Sequence, residues 1–308
     1  MNSEKEPSQR QSPLTTRRRF VLSAGLSVLA GSILDSCQHP QPKDRTTGEP
    51  AMKPSIAVQL YTVRDQIALD LPGTLRRLAE MGFKYVETAF WPEGVTHQAA
   101  AAHLRDAGLT PIASHVEIPI GSQKETFLEI ASAYGVKNLI WHGWPEDNRY
   151  SSPDGTRVLI GIYNEASRFA AENGLRFGLH NHWWEFRNTP GGKPVYQYWL
   201  DELDPAIFFE LDTYWIKVAG HDPAEMISRF GSRVQLLHIK DGPARWHEEL
   251  ASDNPDPMTA VGQGSQDMPA ILRAAQDHIE WLVVEMDKTE GDVFRKLSAS
   301  LEYLKSTY

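Results

Sequence analysis

Three apolar segments in the second half of the chain end in side chains that commonly bind metal ions. The segments are Phe209–Asp212, Val234–His238 and Trp281–Glu285, and their last residues are an aspartate, a histidine and a glutamate. Asp212 and His238 are separated by about the length of one helix and one strand. Because the carboxyl ends of the strands of a parallel barrel meet at one mouth, we expect these ligands to be neighbours in space.

Aspartate, histidine and glutamate together favour a divalent cation that accepts both nitrogen and oxygen donors. Mn²⁺ or Zn²⁺ fits this set best, with Mg²⁺ and Co²⁺ as alternatives. An ion with open positions is a Lewis acid for a carbonyl oxygen, and a nearby carboxylate or histidine can take a proton from the adjacent carbon. The residues therefore predict one divalent metal ion and proton abstraction next to a carbonyl.

Polar and aromatic residues also follow the other predicted strands. A dry core would not hold so many polar groups in one layer unless they paired, bound a metal or met a ligand. Aromatic rings suit a sugar substrate, because a sugar presents apolar C–H faces to them. The predicted substrate-binding residues are Glu87, His115, His142, Trp144, Trp184 and Trp215.

Strands and helices alternate from about residue 55 onward. Eight β-rich runs are predicted at Ser55–Leu60, Tyr85–Thr88, Thr110–His115, Asn138–His142, Arg176–His180, Ile207–Asp212, Val234–Ile239 and Trp281–Met286. Segments of helical length lie between them, several with a glycine directly after. Eight such units predict an α/β fold, a single (β/α)8 TIM barrel. A doubly wound open sheet is the alternative, disfavoured because no Gly-x-Gly-x-x-Gly turn follows the first strand.

The first residues of the chain resemble an export signal. Thr16–Leu22 contains Arg17-Arg18-Arg19 and is followed by a modestly apolar stretch, as in a twin-arginine signal. We predict a signal peptide over residues 1–37, a flexible linker over 38–54 and the catalytic barrel over 55–308. Cys37, the only cysteine, ends a segment similar to a lipobox, so the chain is either a lipid-anchored protein or one cleaved near an incidental thiol. The predicted location is the periplasm.

The composition narrows the class of partner. Hydrophobic residues make up 41% and charged residues 23% of the 308 residues, so a full globular core can form. The net charge of −9 disfavours a polyanion-binding surface and fits a neutral sugar better. A carbohydrate is therefore the predicted partner, no nucleic acid is expected, and contact with a membrane is expected only through a lipid anchor. A homodimer is left open.

The residues from 55 onward resemble the xylose isomerase-like TIM-barrel superfamily, the sugar phosphate isomerase/epimerase group that includes endonuclease IV. The motifs that carry the resemblance are Gln59-Leu60-Tyr61-Thr62-Val63-Arg64, Val86-Glu87, the His-Asn-His-x-x-Glu-Phe block 180–186, Leu211-Asp212-Thr213, His238-x-Lys240-Asp241, Gly262-Gln263-Gly264 and Glu285. In order and spacing they are similar to the family along the whole barrel.

The resemblance implies a metal site and roles for its residues. The family typically binds one divalent ion through Glu, Asp, His and Glu, and Asp212, His238 and Glu285 match the last three. His180 stands where the first glutamate is expected, and Glu185 is the alternative fourth ligand. The implied catalytic residues are Glu285, Glu185, His182 and Lys240.

The resemblance leaves several functions open. The first is isomerisation or epimerisation of an unphosphorylated sugar or keto-sugar. The alternatives are a keto-glycoside lyase or dehydratase that uses the same proton abstraction, and a non-catalytic sugar-binding lipoprotein. DNA repair is disfavoured because Trp215 stands where endonuclease IV relatives have a further histidine ligand.

Overall fold

A computed structural model describes residues 53–250, 254–275 and 279–307. The predicted signal peptide, Cys37 and most of the predicted linker lie outside the described residues, so export, lipidation and periplasmic location stay predictions. None of the described helices is long and apolar enough to cross a membrane.

Eight parallel strands close into a barrel in which each strand pairs with the next and β8 pairs with β1. The strands are β1 Ser55–Gln59, β2 Tyr85–Thr88, β3 Thr110–Val116, β4 Asn138–Trp141, β5 Arg176–His180, β6 Phe208–Asp212, β7 Val234–Ile239 and β8 Trp281–Val284. This confirms the predicted (β/α)8 TIM barrel and excludes the open sheet.

The helices alternate with the strands as predicted. They are α1 Arg64–Leu69, α2 Leu71–Glu80, α3 His97–Asp106, α4 Gln123–Tyr134, α5 Pro153–Glu172, α6 Trp184–Arg187, α7 Val195–Glu202, α8 Thr213–Val218, α9 Pro223–Phe230, α10 Met268–Ala275 and α11 Val293–Thr307. The start of α9 is set by Asp222 and Pro223. The carboxylate of Asp222 accepts the backbone N–H groups of Ala224 and Glu225, and Pro223 is the first residue of the helix. The short helix α8 begins directly after β6, and α6 begins a few residues after β5; the side chains of Trp184 and Trp215 on these helices are buried.

The barrel interior has an apolar lower layer and a polar upper layer. Below, a cluster of buried side chains closes the barrel: Ala57, Ala113, Ile140, Phe208, Leu236 and Val283. Gly178 leaves room there for the ring of Phe208, which a side chain at that position would meet. Above, at the carboxyl ends of the strands, the buried residues are charged and polar. Chemistry is therefore confined to the mouth of the barrel.

The long loop between β7 and α10 is anchored by Asp241, which is fully buried. Its Oδ2 accepts the N–H groups of Gly262 and Gly264, and its Oδ1 accepts those of Gly242 and Gln266. These N–H groups hold the loop against the end of β7.

Candidate metal centre

Four predicted ligands, one from each of the strands β5 to β8 or the residue after it, meet at the mouth. One donor atom each from His180, Asp212, His238 and Glu285 lies within 4.8 Å of the others. Nε2 of His180 is 3.4 Å from Oδ2 of Asp212, and Nδ1 of His238 is 2.6 Å from Oε2 of Glu285. All four side chains are buried.

None of these four atoms makes a well-oriented hydrogen bond among the described residues, although His238 Nδ1 and Glu285 Oε2 form an ion pair and Lys240 lies within ion-pair distance of the two carboxylates. The four atoms are His180 Nε2, Asp212 Oδ2, His238 Nδ1 and Glu285 Oε2. Buried polar atoms are nearly always paired, because burial without a partner is costly. Two nitrogen and two carboxylate oxygen donors converging in this way fit a divalent cation of the Mn²⁺ or Zn²⁺ type.

The hydrogen bonds of the two histidines decide which nitrogen faces the centre. Nδ1 of His180 lies 3.1 Å from the carbonyl oxygen of His142, which accepts only, so Nδ1 carries the proton and Nε2 is the free donor atom. Nε2 of His238 lies 2.8 Å from Oε2 of Glu87, which leaves Nδ1 for a metal. Burial lowers the pKa of His180 to about 4, so this ligand is neutral at pH 7.

His238 has the opposite electrostatic environment. Burial alone would lower its pKa, but the carboxylates of Glu210 and Glu285 outweigh burial and raise it well above the ordinary value. A metal ion would therefore have to release the proton of His238 on binding.

A second group of buried residues lies against the far side of His238. Nε2 of His115 is 2.8 Å from Oε2 of Glu210, and Gln59 donates its amide N–H to Oε2 of Glu87 at 2.6 Å. The pKa of Glu87 is raised to about 7 by burial and by the neighbouring Glu210 carboxylate. Glu87, His115, Glu210 and His238 are close enough to be a metal site themselves, but their facing atoms are already bonded to one another. We interpret this group as the support that orients His238.

Asp212 serves two elements at once. Its Oδ1 accepts the backbone N–H of Trp215 and so caps α8, while its Oδ2 faces the centre. The helix cap therefore fixes the carboxylate in the orientation that a metal ligand needs.

A cavity of about 360 Å³ opens above the centre. It is lined by Tyr61, Arg64, Ala89, Phe90, His115, His142, Trp144, His180, His182, Pro255, Glu285, Asp287 and Lys288. Three of the predicted substrate-binding residues, His115, His142 and Trp144, are in this lining. Glu87, Trp184 and Trp215 are not, since Glu87 lies beneath His238 and the two tryptophans are fully buried behind the wall.

The predicted catalytic residues divide in the same way. Glu285 and His182 line the cavity, and the ring of His182 stacks on Trp184 with centroids 4.3 Å apart. Glu185 does not reach the cavity lining: its carboxylate accepts the backbone N–H of His182 at 2.9 Å. Burial raises the pKa of Glu185 to about 8, so it is uncharged at pH 7 and supports His182 from behind.

Lys240 lies among carboxylates beneath the cavity. Its Nζ is 2.7 Å from Oδ2 of Asp212, 2.8 Å from Oε2 of Glu285 and 2.7 Å from Oδ2 of Asp287. Burial would lower its pKa, but these three carboxylates raise it well above the ordinary value. The ammonium group is therefore a permanent positive charge at the centre.

Several cavity residues were not predicted from the sequence. Asp287 follows Glu285 by two positions, and a two-residue period could have indicated it. Tyr61 and Arg64 come from the segment after β1, where Arg64 donates to the carbonyl oxygens of Tyr61 and Asp287 at 2.9 Å each. Their part in the site depends on closure of the barrel between β1 and β8, which no local pattern shows.

The sequence matches the family described as xylose isomerase-like TIM barrel over residues 75–307. The chain belongs to this family. No match was found among curated proteins.

Several solved structures share the fold of this chain at low sequence identity. A sugar phosphate isomerase/epimerase from Parabacteroides distasonis is 22% identical with a TM-score of 0.65, over 86% of this chain and 98% of that one. D-allulose 3-epimerase from Methylomonas sp., in complex with D-allulose, is 17% identical with a TM-score of 0.62, over 84% and 98%. An AP endonuclease, family 2, from Brucella melitensis is 18% identical with a TM-score of 0.58, over 81% and 99%. At these identities the likeness shows the fold, and the chemistry must be argued from this chain's own residues.

Proposed function

We propose that the protein is a divalent-metal-dependent isomerase or epimerase of an unphosphorylated sugar or keto-sugar. One observation carries the proposal: two nitrogen and two carboxylate oxygen atoms, all buried and none in a well-oriented hydrogen bond, converge beside a cavity of about 360 Å³. Buried polar atoms seldom lack such a bond, and four together at one point suit a bound cation.

His180, Asp212, His238 and Glu285 would hold the metal. When bound, the metal supplies Lewis-acid polarisation of a substrate carbonyl. Glu285 and His182 both line the cavity, and we assign them the transfer of the substrate proton. Glu185 does not reach the cavity lining, so it cannot be the partner of Glu285, and we assign His182 as the second proton carrier.

The glycine turn at 262–264 supports an unphosphorylated substrate. Arg64 donates to two backbone carbonyl oxygens, and Lys288 donates to Oδ1 of Asn254 at 2.8 Å. The N–H groups of Gly262 and Gly264 are held by Asp241. The glycine turn therefore does not offer these N–H groups to a phosphate, and Arg64 and Lys288 use some of their donors within the protein.

A second function, cleavage of a keto-glycoside, is favoured by the aromatic rim of the cavity. Phe90 and Trp144 line the cavity and are 56% and 46% exposed. Large aromatic side chains at this exposure suit a ring of the substrate that protrudes from the cavity, such as an aglycone. The same proton abstraction would then expel the β-substituent.

The test is proton exchange with solvent. The metal-loaded protein is incubated in D₂O with aldoses, ketoses and 3-keto-glycosides, and the C–H signals are followed by NMR. Exchange with an intact carbon skeleton supports the isomerase or epimerase, and release of the aglycone supports the lyase.

The variant Asp212→Ala should lose both bound metal and exchange. Asp154→Ala, at a side chain that is 99% exposed, is the matched control and should keep both. If the wild type shows no exchange and its metal-free form binds sugar with unchanged affinity, the non-catalytic binding protein replaces this proposal.

A further inference from the structure

The three carboxylates around Lys240 are not equivalent. Lys240 donates a hydrogen bond to Oδ2 of Asp287 at 2.7 Å. Oδ2 of Asp212 and Oε2 of Glu285 form ion pairs with Nζ at similar distances, but among the described residues only the contact with Asp287 has the geometry of a hydrogen bond. Asp287 therefore anchors the ammonium group, and the other two carboxylates are held near it by charge.

The atoms that Lys240 approaches are the same atoms that face the metal centre. A divalent metal of this type lies about 2.1 Å from a carboxylate oxygen. The ammonium nitrogen is 2.7 Å from Oδ2 of Asp212 and 2.8 Å from Oε2 of Glu285. Two cations bound to the same two oxygens would repel each other strongly, since little water is present to screen them.

The formal charges show how both cations can be accommodated. Asp212 and Glu285 carry two negative charges, which balance a divalent ion bound also by two neutral histidines. Asp287 carries one, which balances Lys240. With a metal bound, the centre is neutral if Lys240 keeps Asp287 and gives up the other two carboxylates.

We propose that Lys240 is a built-in counter-cation, which holds Asp212 and Glu285 in place before the metal binds and withdraws onto Asp287 when it does. This inference rests on the proposed metal-dependent function. It adds to that function the step in which the metal replaces Lys240 as the cation next to Asp212 and Glu285. Asp287 lines the cavity and Lys240 is buried beneath it, so the withdrawn ammonium group is bound to a residue of the cavity wall.

The test is the metal affinity of variants at this position, measured by competition between the full-length protein and a chromophoric chelator with Mn²⁺ and Zn²⁺. Lys240→Met removes the charge and keeps most of the side chain's length, and we expect the metal dissociation constant to fall by about tenfold or more. Lys193→Met is the matched control, since Lys193 pairs with Asp201 and Glu202 at the surface and its loss should leave the affinity unchanged.

Asp287→Asn should raise the metal dissociation constant, which is the opposite of the change expected for Lys240→Met. Without its anchor the ammonium group has only Asp212 and Glu285 as partners, so metal binding should weaken. In the Lys240→Met background, the effect of Asp287→Asn should be much smaller, because the competing cation is gone. Loss of structure would move both single variants in the same direction and would not give this pattern.

If the metal-free Lys240→Met variant folds poorly, its metal binding can still be measured from the midpoint temperature of thermal unfolding. Its midpoint should be below that of the wild type without metal and should rise more than that of the wild type when metal is added. Unchanged or weaker metal affinity in Lys240→Met overturns the replacement of Lys240 by the metal and leaves the proposed function standing. If neither the wild type nor the variant binds a metal, the proposed function fails with it.

Discussion

Nε2 of His238 lies 2.8 Å from Oε2 of Glu87, so a buried glutamate fixes which ring nitrogen of this predicted ligand faces the centre. The hydrogen bond places the Nε2 proton on the side away from Glu285 and leaves Nδ1 as the donor atom. A carboxylate behind a histidine ligand also makes the ring a stronger base toward a metal.

Glu87→Gln should therefore weaken metal binding without removing the hydrogen bond. The amide oxygen can replace Oε2 as acceptor for both Gln59 and His238, whereas the negative charge is lost. We expect a loss of metal affinity of about 10-fold or more. The measurement belongs at pH 8, above the pKa of about 7 that burial and Glu210 give to Glu87.

The control for this variant is Glu117→Gln. Glu117 lies 3.3 Å from Nε2 of His142, at a histidine outside the ligand set. Equal losses in both variants would show that the effect is one of general charge, and the role given to Glu87 would be wrong.

Glu185 predicts a pH dependence of stability. Burial raises its pKa from the ordinary 4.5 to about 8. Between these values the folded protein keeps a proton that the unfolded chain has lost, so rising pH destabilises the fold by about 1.4 kcal/mol per pH unit. Below pH 4.5 both states are protonated and the contribution is fully present.

Glu185→Gln cannot lose a proton and can still accept the N–H of His182. The free energy of unfolding of this variant, relative to the wild type, should increase steadily from pH 5 to pH 8 in urea titrations. Glu165→Gln, at a surface side chain that is 53% exposed, controls for removal of a negative charge. A constant difference between Glu185→Gln and the wild type across this range would contradict a buried, uncharged Glu185.

The sequence was enough to predict the barrel and the convergence of four strand-end residues at its mouth, for one physical reason. These residues are His180, Asp212, His238 and Glu285. In a parallel barrel every strand ends at the same mouth, so a residue's place at a strand end determines its neighbours without any knowledge of packing. The observed bounds of β2, β5 and β7 are those predicted, because a glycine lies two or three residues before each of these strands.

The orientation of side chains beyond the strand ends could not be predicted. Glu185 and Trp184 follow β5 closely, but α6 turns both away from the cavity, where they support His182. Trp215 is likewise an aromatic residue near a strand end, and it is fully buried. Residue type indicates that a ring will be covered, but only the packing shows whether a substrate or the core covers it.

The loop that Asp241 anchors gives a prediction of stability. An alanine at position 264 would bring its Cβ into collision with Oδ1 of Asp241 and the backbone nitrogen of Gly242. Gly264→Ala should therefore destabilise the fold by about 1 to 3 kcal/mol, as overpacking does elsewhere. Gly161, in the exposed part of α5, has no neighbour within 4 Å of such a Cβ.

Gly161→Ala is thus the matched control and should stabilise the protein by about 0.5 to 1 kcal/mol, because alanine favours the helix. Both values follow from urea unfolding at one pH. If Gly264→Ala is as stable as the wild type, the loop is not held by Asp241 in the way the hydrogen bonds indicate.

The aromatic rim distinguishes the two candidate reactions. Trp144 lines the cavity and is 46% exposed, so its ring can stack on a part of the substrate that extends outside. Trp144→Ala should raise KM for a keto-glycoside with an aromatic aglycone by about 3- to 10-fold and leave kcat nearly unchanged, because stacking on the aglycone is equal in the ground and transition states. KM for a free monosaccharide should stay the same.

Trp246→Ala is the control for this last prediction. Trp246 is 39% exposed and stacks on Arg187, with the guanidinium carbon 3.9 Å from the ring centroid, but it is not part of the cavity lining. It should change neither KM. An equal rise in KM for glycoside and monosaccharide in Trp144→Ala would place the reacting sugar itself on this ring. The argument for a protruding aglycone, and with it the structural argument for the lyase as second candidate, would then be lost.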